Sequence, residues 1–482
     1  MQVKLHIIKG DSILDSMRRA GCILPDTSCG GKGLCGKCLV KVISGGCPAG
    51  IHCACQCHPD SDVVVDLPGE AIQNICDSFQ GSVMDDMHGV GYGVALDIGT
   101  TTLALLLVDL RTGIVIDKRT ALNVQRAYGA DVIARIAWCN EHADGLGMMQ
   151  KIITEEIISM IKEMMDAQRI DQTLLARIVV AANTTMMHLL VGADPSGIAV
   201  APFTPRFLKS LNYQATELSM PFSSCTVSLI GGISAYVGAD IVAGIYSSGL
   251  EKEGETNLLL DLGTNGEICL WDKDTLVTCS CASGPVFEGA CISCGTGSVQ
   301  GAIDKFWQEA GILCSSTIGG TSPVGICGSG IIDLVSILLT EGIIDETGAM
   351  ERDYVIPGMK FGLTRKDVRE IQLAKAAVAA GVDTLLASRS RKASEIDHVF
   401  LAGGFGSFLR PESAINIGML RPSWKSRIIP VGNTSLKGAL AFMTDSHAVR
   451  GMEMIRENAQ YIELSSSRLF QKLYVDNMVF PS

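Results

Sequence analysis

The strongest constraint on the fold of this 482-residue chain is a short unit that occurs twice. Val94-Ala-Leu-Asp97-Ile-Gly99-Thr100-Thr101-Thr102 reads as an apolar strand, an acidic residue, a tight glycine–threonine turn and the start of a second strand. The unit returns 164 residues later as Leu258-Leu-Leu-Asp261-Leu-Gly263-Thr264-Asn265-Gly266-Glu267, followed by Ile268-Cys269-Leu270. Short apolar runs bounded by such turns are expected to be buried strands of an α/β sheet. The turns offer backbone N–H groups and hydroxyls to phosphate, and each aspartate is placed to hold Mg2+ through water. One copy of so short a motif carries little weight; the pair is a strong internal repeat.

The spacing therefore predicts Asp97 and Asp261 on the magnesium side. Gly99, Thr100, Thr101, Thr102, Gly263, Thr264, Asn265 and Gly266 are predicted at the phosphates. A third glycine signal, Gly403-Gly404-Phe405-Gly406 after the strand-like Val399-Phe400-Leu401, lets a backbone approach a flat ring or ribose closely. Glu267 and Glu288 are candidates for positioning an attacking water, with a turn-capping carboxylate as the alternative for each. Phe405 either stacks on the base or plugs the core.

A different chemistry stands at the N-terminus. Nine of the eighteen cysteines lie in the first 76 residues. Cys29-Gly-Gly-Lys-Gly-Leu-Cys35-Gly-Lys-Cys38 holds three of them in a glycine-rich loop. Thiolates that must converge on one small cluster need a backbone that wraps closely, and glycine supplies it. A structural zinc loop would use paired Cys-x2-Cys knuckles, and only one such pair is present. Val3 to Ile8 alternate as a strand, Gly10-Asp11-Ser12 caps a helix up to Gly21, and Leu39 to Val42 form a second strand after the loop. Between Pro68 and Tyr92 no clean period exists, and the segment reads as a linker or a surface loop.

Bulk composition narrows the class. Hydrophobic residues make up 47% and charged residues 19%, which excludes a disordered chain. A net charge of −12 argues against nucleic acid and anionic membrane as partners. No membrane span and no secretory signal are expected. Many cysteines without such a signal point to a reducing cytoplasmic location.

The strand–helix–loop–strand order around Cys29, Cys35 and Cys38 resembles the β-grasp ferredoxin domain with its 2Fe-2S cluster. In that family the fourth ligand lies in an Ala-Cys-Gln segment, and here Ala54-Cys55-Gln56 precedes Val63-Val64-Val65, which gives Cys55. Cys53 and Cys57 flank it two residues away, and strand geometry would point all three the same way. The three glycine signals, in their order, resemble the phosphate-1, phosphate-2 and adenosine motifs of the superfamily of acetate and sugar kinases, heat-shock chaperones and actin. In that fold two ribonuclease-H-like halves clasp ATP. Gly232–Gly244 and the stretch from Gly432 through Ala439 resemble its two connecting helices, whose small residues permit close packing at the hinge.

The whole chain resembles the reductive activators of corrinoid proteins. Tyr128-Gly-Ala-Asp131-Val-Ile-Ala-Arg135, Asn183-Thr-Thr-Met-Met-His188, Ser283-Gly-Pro-Val-Phe-Glu288-Gly and Pro323-Val-Gly-Ile-Cys-Gly328-Ser-Gly330 carry the resemblance. It implies an α/β multidomain protein, with a ferredoxin-like domain at 1–68, a linker at 69–92, and the ATPase halves at 93–250 and 251–482. It further implies ATP, Mg2+ and a 2Fe-2S cluster as cofactors, and one-electron reduction of cob(II)alamin to cob(I)alamin on a methyltransferase system's corrinoid protein. An upstream low-potential electron donor and a homodimer follow from the same resemblance. Extra sequence that longer relatives carry before the first phosphate motif is nearly absent here. Two alternatives stand beside this reading: an ATP-dependent electron donor to another low-potential metalloenzyme, and a small-molecule kinase with a fused redox domain. His188 is expected as a satisfied core histidine rather than a cobalt ligand, and Cys279, Cys281, Cys291 and Cys294 as buried small hydrophobes rather than a second cluster.

Overall fold

The two Asp-x-Gly-Thr units open two sheets of the same topology. In the computed structural model, which describes residues 2–20, 22, 31–33, 38–67 and 90–481, the first sheet contains β5 (Tyr92–Ile98), β6 (Thr102–Asp109), β7 (Ile114–Leu122), β8 (Leu175–Ala182), β9 (Leu211–Gln214) and β10 (Thr226–Leu229). Its order is β7-β6-β5-β8-β10-β9; the hairpin strands run antiparallel, and β8 and β10 continue parallel to β5. The second sheet is built on β11 (Thr256–Leu262), β12 (Gly266–Asp272) and β13 (Thr275–Cys281).

A small sheet of β14 (Ala302–Glu309), β15 (Ile312–Thr317) and β16 (Gly325–Ile326) and a ribbon of β17 (Tyr354–Val355) and β18 (Gly362–Leu363) follow in the chain. Then β19 (His398–Ala402), β20 (Ile428–Gly432) and β21 (Gln460–Tyr461) return to the second main sheet, which has the order β20-β19-β11-β12-β13-β21. With the edge strands β9 and β21 set aside, the main-sheet strands of both halves read 3-2-1-4-5. This is the duplicated ribonuclease-H-like arrangement of the ASKHA fold.

The central strands are apolar on both faces because helices cover both sides. Val94, Ala95, Leu96 and Ile98 in β5, and Leu258, Leu259, Leu260 and Leu262 in β11, are essentially unexposed. The helix Arg365–Ser388 is long and apolar enough to cross a membrane by length and composition, but 78% of its apolar window is buried against the second sheet and its neighbours. It is a core helix of this fold.

The halves meet at two crossing helices, Ala239–Ser248 and Thr434–Thr444. The first begins at Ala239, later than the Gly232 start expected from its small residues. Gly238 is the N-cap, in extended backbone (φ −88, ψ −166), and residues 231–237 before it form a loop rather than a turn of helix. Glycine is needed where the helices touch: a Cβ on Gly438 would stand 2.3 Å from the Ala243 carbonyl oxygen and 2.5 Å from the Ala243 Cβ.

The N-terminal module is a four-stranded sheet, β1-β4-β2-β3, of β1 (Gln2–Leu5), β2 (Leu39–Gly45), β3 (Gly50–Cys53) and β4 (Val63–Asp66). The helix Ile13–Arg19 packs Ile13, Leu14 and Met17 onto it. Ser12 and Asp15 form a reciprocal capping box at its start. Cys29, Cys35 and nearly all of the linker lie outside the described residues.

Candidate functional site

The paired turns face each other across a cleft of about 1820 Å3, lined by both Asp-x-Gly-Thr motifs and by Gly403, Gly404 and Phe405. Strand register explains the grouping. Asp97 is the last but one residue of β5, and Asp261 holds the same place in β11. Within the second hairpin, Asp261 stands directly opposite Glu267, so two carboxylates share one face of the sheet.

Like charges facing one another across strands destabilise a sheet unless something compensates them. Here the cluster is larger. Asp240, in the first turn of the crossing helix Ala239–Ser248, adds its charge to Asp97, Asp261 and Glu267. Burial, and then the neighbouring Asp261 and Asp97, push Asp240 up to about 8. Burial and Asp97 push Asp261 up to about 7. Glu267 is raised further, by burial first and then by Asp240 and Asp261. Four partly buried carboxylates with raised proton affinity thus make one acidic locus at the cleft.

The acids are not equivalent. Asp97 accepts from Ser435 Oγ at 2.7 Å and from Asn433 Nδ2 at 2.8 Å, so both of its oxygens reach across to the helix Thr434–Thr444 and its N-cap. Burial raises Asp97, against those two hydrogen bonds. Asp97 thus ties the first strand to the hinge as well as facing the cleft.

The phosphate-1 turn is held from behind. Asn123 Nδ2 donates to Gly99 O at 2.8 Å, Asn123 N donates to Thr101 O at 2.9 Å, and Asn183 Nδ2 donates to Thr100 Oγ1 at 3.0 Å. Arg135, wholly buried, donates to Gly129 O at 2.9 Å and to Thr100 O. Thr102 begins β6, while Gly263, Asn265 and Gly266 complete the second turn, with Gly263 N bonded to Asn265 O at 3.0 Å. Glu288 lies between the two turns and accepts from both Thr101 Oγ1 and Thr264 Oγ1 at 2.9 Å. On the nucleoside side Gly403 has φ 83, and a Cβ there would meet Asp261 Oδ1 at 2.7 Å, so only glycine brings this turn so close. Phe405 is buried and stacks on Phe287 with ring centroids 4.8 Å apart; Gly406 follows it under the turn.

In the N-terminal module Cys38, Cys53 and Cys55 bring their sulfurs within 4.8 Å of one another. Cys38 Sγ lies 3.3 Å from Cys53 Sγ and 3.2 Å from Cys55 Sγ, and the latter two are 3.8 Å apart. Two thiolates on one tetrahedral metal at about 2.3 Å would be about 3.8 Å apart, so this trio fits a metal centre. Burial, followed by the neighbouring Cys38 and Cys53, pushes the Cys55 thiol up to about 12. Cys29 and Cys35, which would complete the donor set, lie outside the described residues.

The convergence differs from the strand alternation expected for Cys53, Cys55 and Cys57. β3 ends at Cys53, and a turn follows in which Gln56 N and Cys57 N both donate to Cys53 O. That turn leaves Cys55 beside Cys38 and sends Cys57 to Cys47, whose contact adds to burial in pushing Cys57 up to about 11. Gln56 Nε2 donates to Gly33 O at 3.0 Å and so pins the turn to the glycine loop.

Two family descriptions match this chain: "RACo middle region" over residues 92–253 and "C-terminal domain of RACo the ASKHA domain" over residues 255–482. The corrinoid activation enzyme RamQ of Eubacterium limosum is 30% identical over 418 residues, covering 81% of this chain and 70% of that protein. The chain belongs to the RACo family, the reductive activators of corrinoid proteins. A [Co(II) methylated amine-specific corrinoid protein] reductase of Methanosarcina barkeri is 25% identical over 420 residues, 80% of this chain and 76% of that one. A solved structure titled reductive activator for corrinoid,iron-sulfur protein superposes with a TM-score of 0.75 at 30% identity, over 98% of this chain and 96% of that chain.

Within the RACo frame, the ASKHA domain accounts for an ATP and Mg2+ site, and the cysteine group for a metal site. His188 is a structural residue: Nδ1 meets Thr184 O at 2.7 Å, Nε2 accepts from Arg206 N at 3.0 Å, and the ring stacks on Phe207. Cys279, Cys281 and Cys294 are buried, whereas Cys291 is exposed and lines the cleft. Sequence reasoning missed Asp240, Asn123, Asn433 and Ser435 as site residues. Asp240 left one signal, a lone acid in an otherwise apolar, small-residue helix. The others are polar residues at segment starts, indistinguishable in sequence from ordinary caps.

Proposed function

We propose that this protein is an ATP-dependent reductive activator, passing one electron from a 2Fe-2S cluster to the cob(II)alamin centre of a corrinoid protein and so restoring cob(I)alamin for methyl transfer. The observation that carries this reading is a converging thiol trio on the same chain as a two-turn phosphate cleft with partly buried carboxylates. The relatives, a corrinoid activation enzyme and a corrinoid protein reductase, support the same partner class.

Each residue has a stated task. Asp261, Asp240 and Glu267 hold Mg2+, and Glu267 also orients the attacking water. Thr100, Thr101, Thr264 and Asn265 bind phosphates with the backbone of Gly99, Gly263 and Gly266. Asp97 couples the phosphate-1 strand to the hinge through Asn433 and Ser435. Gly403, Gly404 and Gly406 line the adenosine. Cys29, Cys35, Cys38 and Cys55 hold the cluster, which supplies a one-electron couple near roughly −400 mV. A further ~100 mV needed at the cobalt corresponds to about 2.3 kcal/mol, within reach of ATP-linked conformational work.

The contacts between modules favour such coupling. Arg18, in the helix beside the thiols, stacks 5.1 Å over the Tyr128 ring and donates to Ala127 O. Those residues continue the segment whose Asn123 grips the phosphate-1 turn. The functional division is a cluster domain at 1–68, a tether at 69–92 and ATPase halves at 93–250 and 251–482. Function as a homodimer in the cytoplasm, fed by a low-potential donor, completes the proposal.

The test is anaerobic. The reconstituted full chain is reduced, a cob(II)alamin-loaded corrinoid protein from the same genome is added, and the cob(I) absorbance is followed. Cob(I) is expected only with MgATP, and not with an Asp261→Ala variant. ATP hydrolysis and a sound iron–sulfur spectrum, with no corrinoid protein reduced, would overturn the assignment.

A further inference from the structure

A carboxyl group of the protein already stands between the two phosphate-binding turns. Glu288 closes the one-turn helix Pro285–Glu288. Its Oε2 accepts one hydroxyl from each half of the domain, Thr101 Oγ1 and Thr264 Oγ1, each at 2.9 Å; the two hydroxyl oxygens are 3.5 Å apart. A single carboxylate oxygen therefore bridges the cleft at the point where both phosphate motifs converge. Burial raises the proton affinity of Glu288, opposed by the two threonine hydrogen bonds and then by the positive charges of Arg135 and Arg126. Arg135 is fully buried behind the Thr100 carbonyl. Two converging hydroxyls backed by two guanidinium groups make an anion site.

We propose that Glu288 is a built-in competitor of the terminal phosphate of the nucleotide, clasping Thr101 to Thr264 until that phosphate takes both hydroxyls. The inference rests on the ATP reading above and deepens it. With the nucleoside at the Gly403 turn, as the reading above has it, the phosphate chain would run past Thr264 towards Thr101, and its terminal group would be the one to reach the point between the halves. A carboxylate and a phosphate of like charge repel strongly at hydrogen-bond distance in a buried site, so they do not share the same two donors. On that path a diphosphate would fall one group short and leave the clasp closed.

The segment that carries Glu288 lies between two positive-φ glycines. Gly284 (φ 71) and Gly289 (φ 77) flank it in left-handed backbone, and a Cβ on Gly289 would lie 2.2 Å from Thr296 O. Only glycine is accommodated at Gly289, and two positive-φ positions five residues apart would let the turn pivot as a unit. Triphosphate and diphosphate then differ in whether the clasp is open. That is the differential binding needed for ATP to bias a conformational equilibrium.

The experiment uses the full chain with Mg2+, and AMP-PNP and ADP as probes. Binding is read by calorimetry, and folding by thermal melting. For Glu288→Ala, removing the competing charge is expected to tighten AMP-PNP about tenfold or more while ADP changes less than about threefold. Glu288→Gln keeps the shape and removes the charge; it is expected to shift the AMP-PNP to ADP affinity ratio in the same direction, and it serves if the alanine variant does not fold. An unchanged or reduced ratio overturns the clasp. Wild-type affinities in Glu288→Gln together with lost turnover also overturn it, and make Glu288 a water-positioning residue instead. A wild-type chain that binds neither nucleotide would overturn the ATP reading itself, and the clasp with it.

Discussion

The close approach of the two crossing helices makes Gly438→Ala the most informative single substitution in the hinge. An added methyl would lie 2.3 Å from Ala243 O, 2.5 Å from Ala243 Cβ and 2.6 Å from the Ala243 carbonyl carbon. Non-bonded heavy atoms settle near 3.5–4.0 Å, so the helices must part by about 1 Å. Both pack on the first sheet, and backbone rather than a flexible side chain opposes the methyl, so little of this relaxes. Overpacking of this kind costs about 1–3 kcal/mol, whereas alanine in a helix interior returns up to about 1 kcal/mol over glycine. A net loss of about 1–2 kcal/mol is expected, seen as a Tm lowered by several degrees. Because Asp97 bonds to Asn433 and Ser435 at the start of the same helix, the shift should also weaken MgATP binding. Thermal melting with and without MgATP reads both effects. The double variant Gly438→Ala/Ala243→Gly should recover only part, since the carbonyl contact persists. A single variant as stable as wild type or more so, with unchanged nucleotide affinity, would show that the helices part freely and would refute the hinge argument.

Cys55→Ser is expected to abolish the 2Fe-2S visible absorbance and bound iron, while Cys53→Ser retains both; the reverse pattern would make Cys53 the fourth ligand. Stability without added Mg2+ should fall as pH rises from 6 to 9. Carboxyls raised in the fold, Asp261 to about 7 and Asp240 to about 8, bind protons more tightly when folded than unfolded, so their contribution is full at low pH and lost on ionisation. Mg2+ should restore more stability at pH 9 than at pH 6, and Asp240→Asn should flatten the pH dependence. A melting profile insensitive to both would refute the shared-cation reading of the acidic group.

Much of the fold was legible because its signals are local. A strand that runs into Asp-x-Gly-Thr and out into another strand specifies a hairpin from its own residues, and a second copy specifies a second half. The sheets containing β5 and β11 have the expected pairing. The glycines at 403 and 438 stand where backbone or side-chain atoms of a distant segment come within 3 Å, and glycine is itself a local sign of such an approach. The helix at Gly232 was misread because small residues are compatible with both helix and loop, and only the position of the N-cap at Gly238 decides between them.

What the sequence alone determined were the parts: a cysteine loop, two phosphate turns, a nucleoside turn and small residues at two helices, each encoded within a dozen residues. Tertiary structure decided which parts meet. Asp240 joins Asp261 and Glu267, Asn433 and Ser435 reach back to Asp97, Cys57 turns to Cys47 and not to Cys38, and Glu288 bridges Thr101 and Thr264. These partners are separated by up to 338 residues. Residue type fixes what a side chain can donate or accept, while its partner is chosen by packing of the whole chain, which local pattern does not encode.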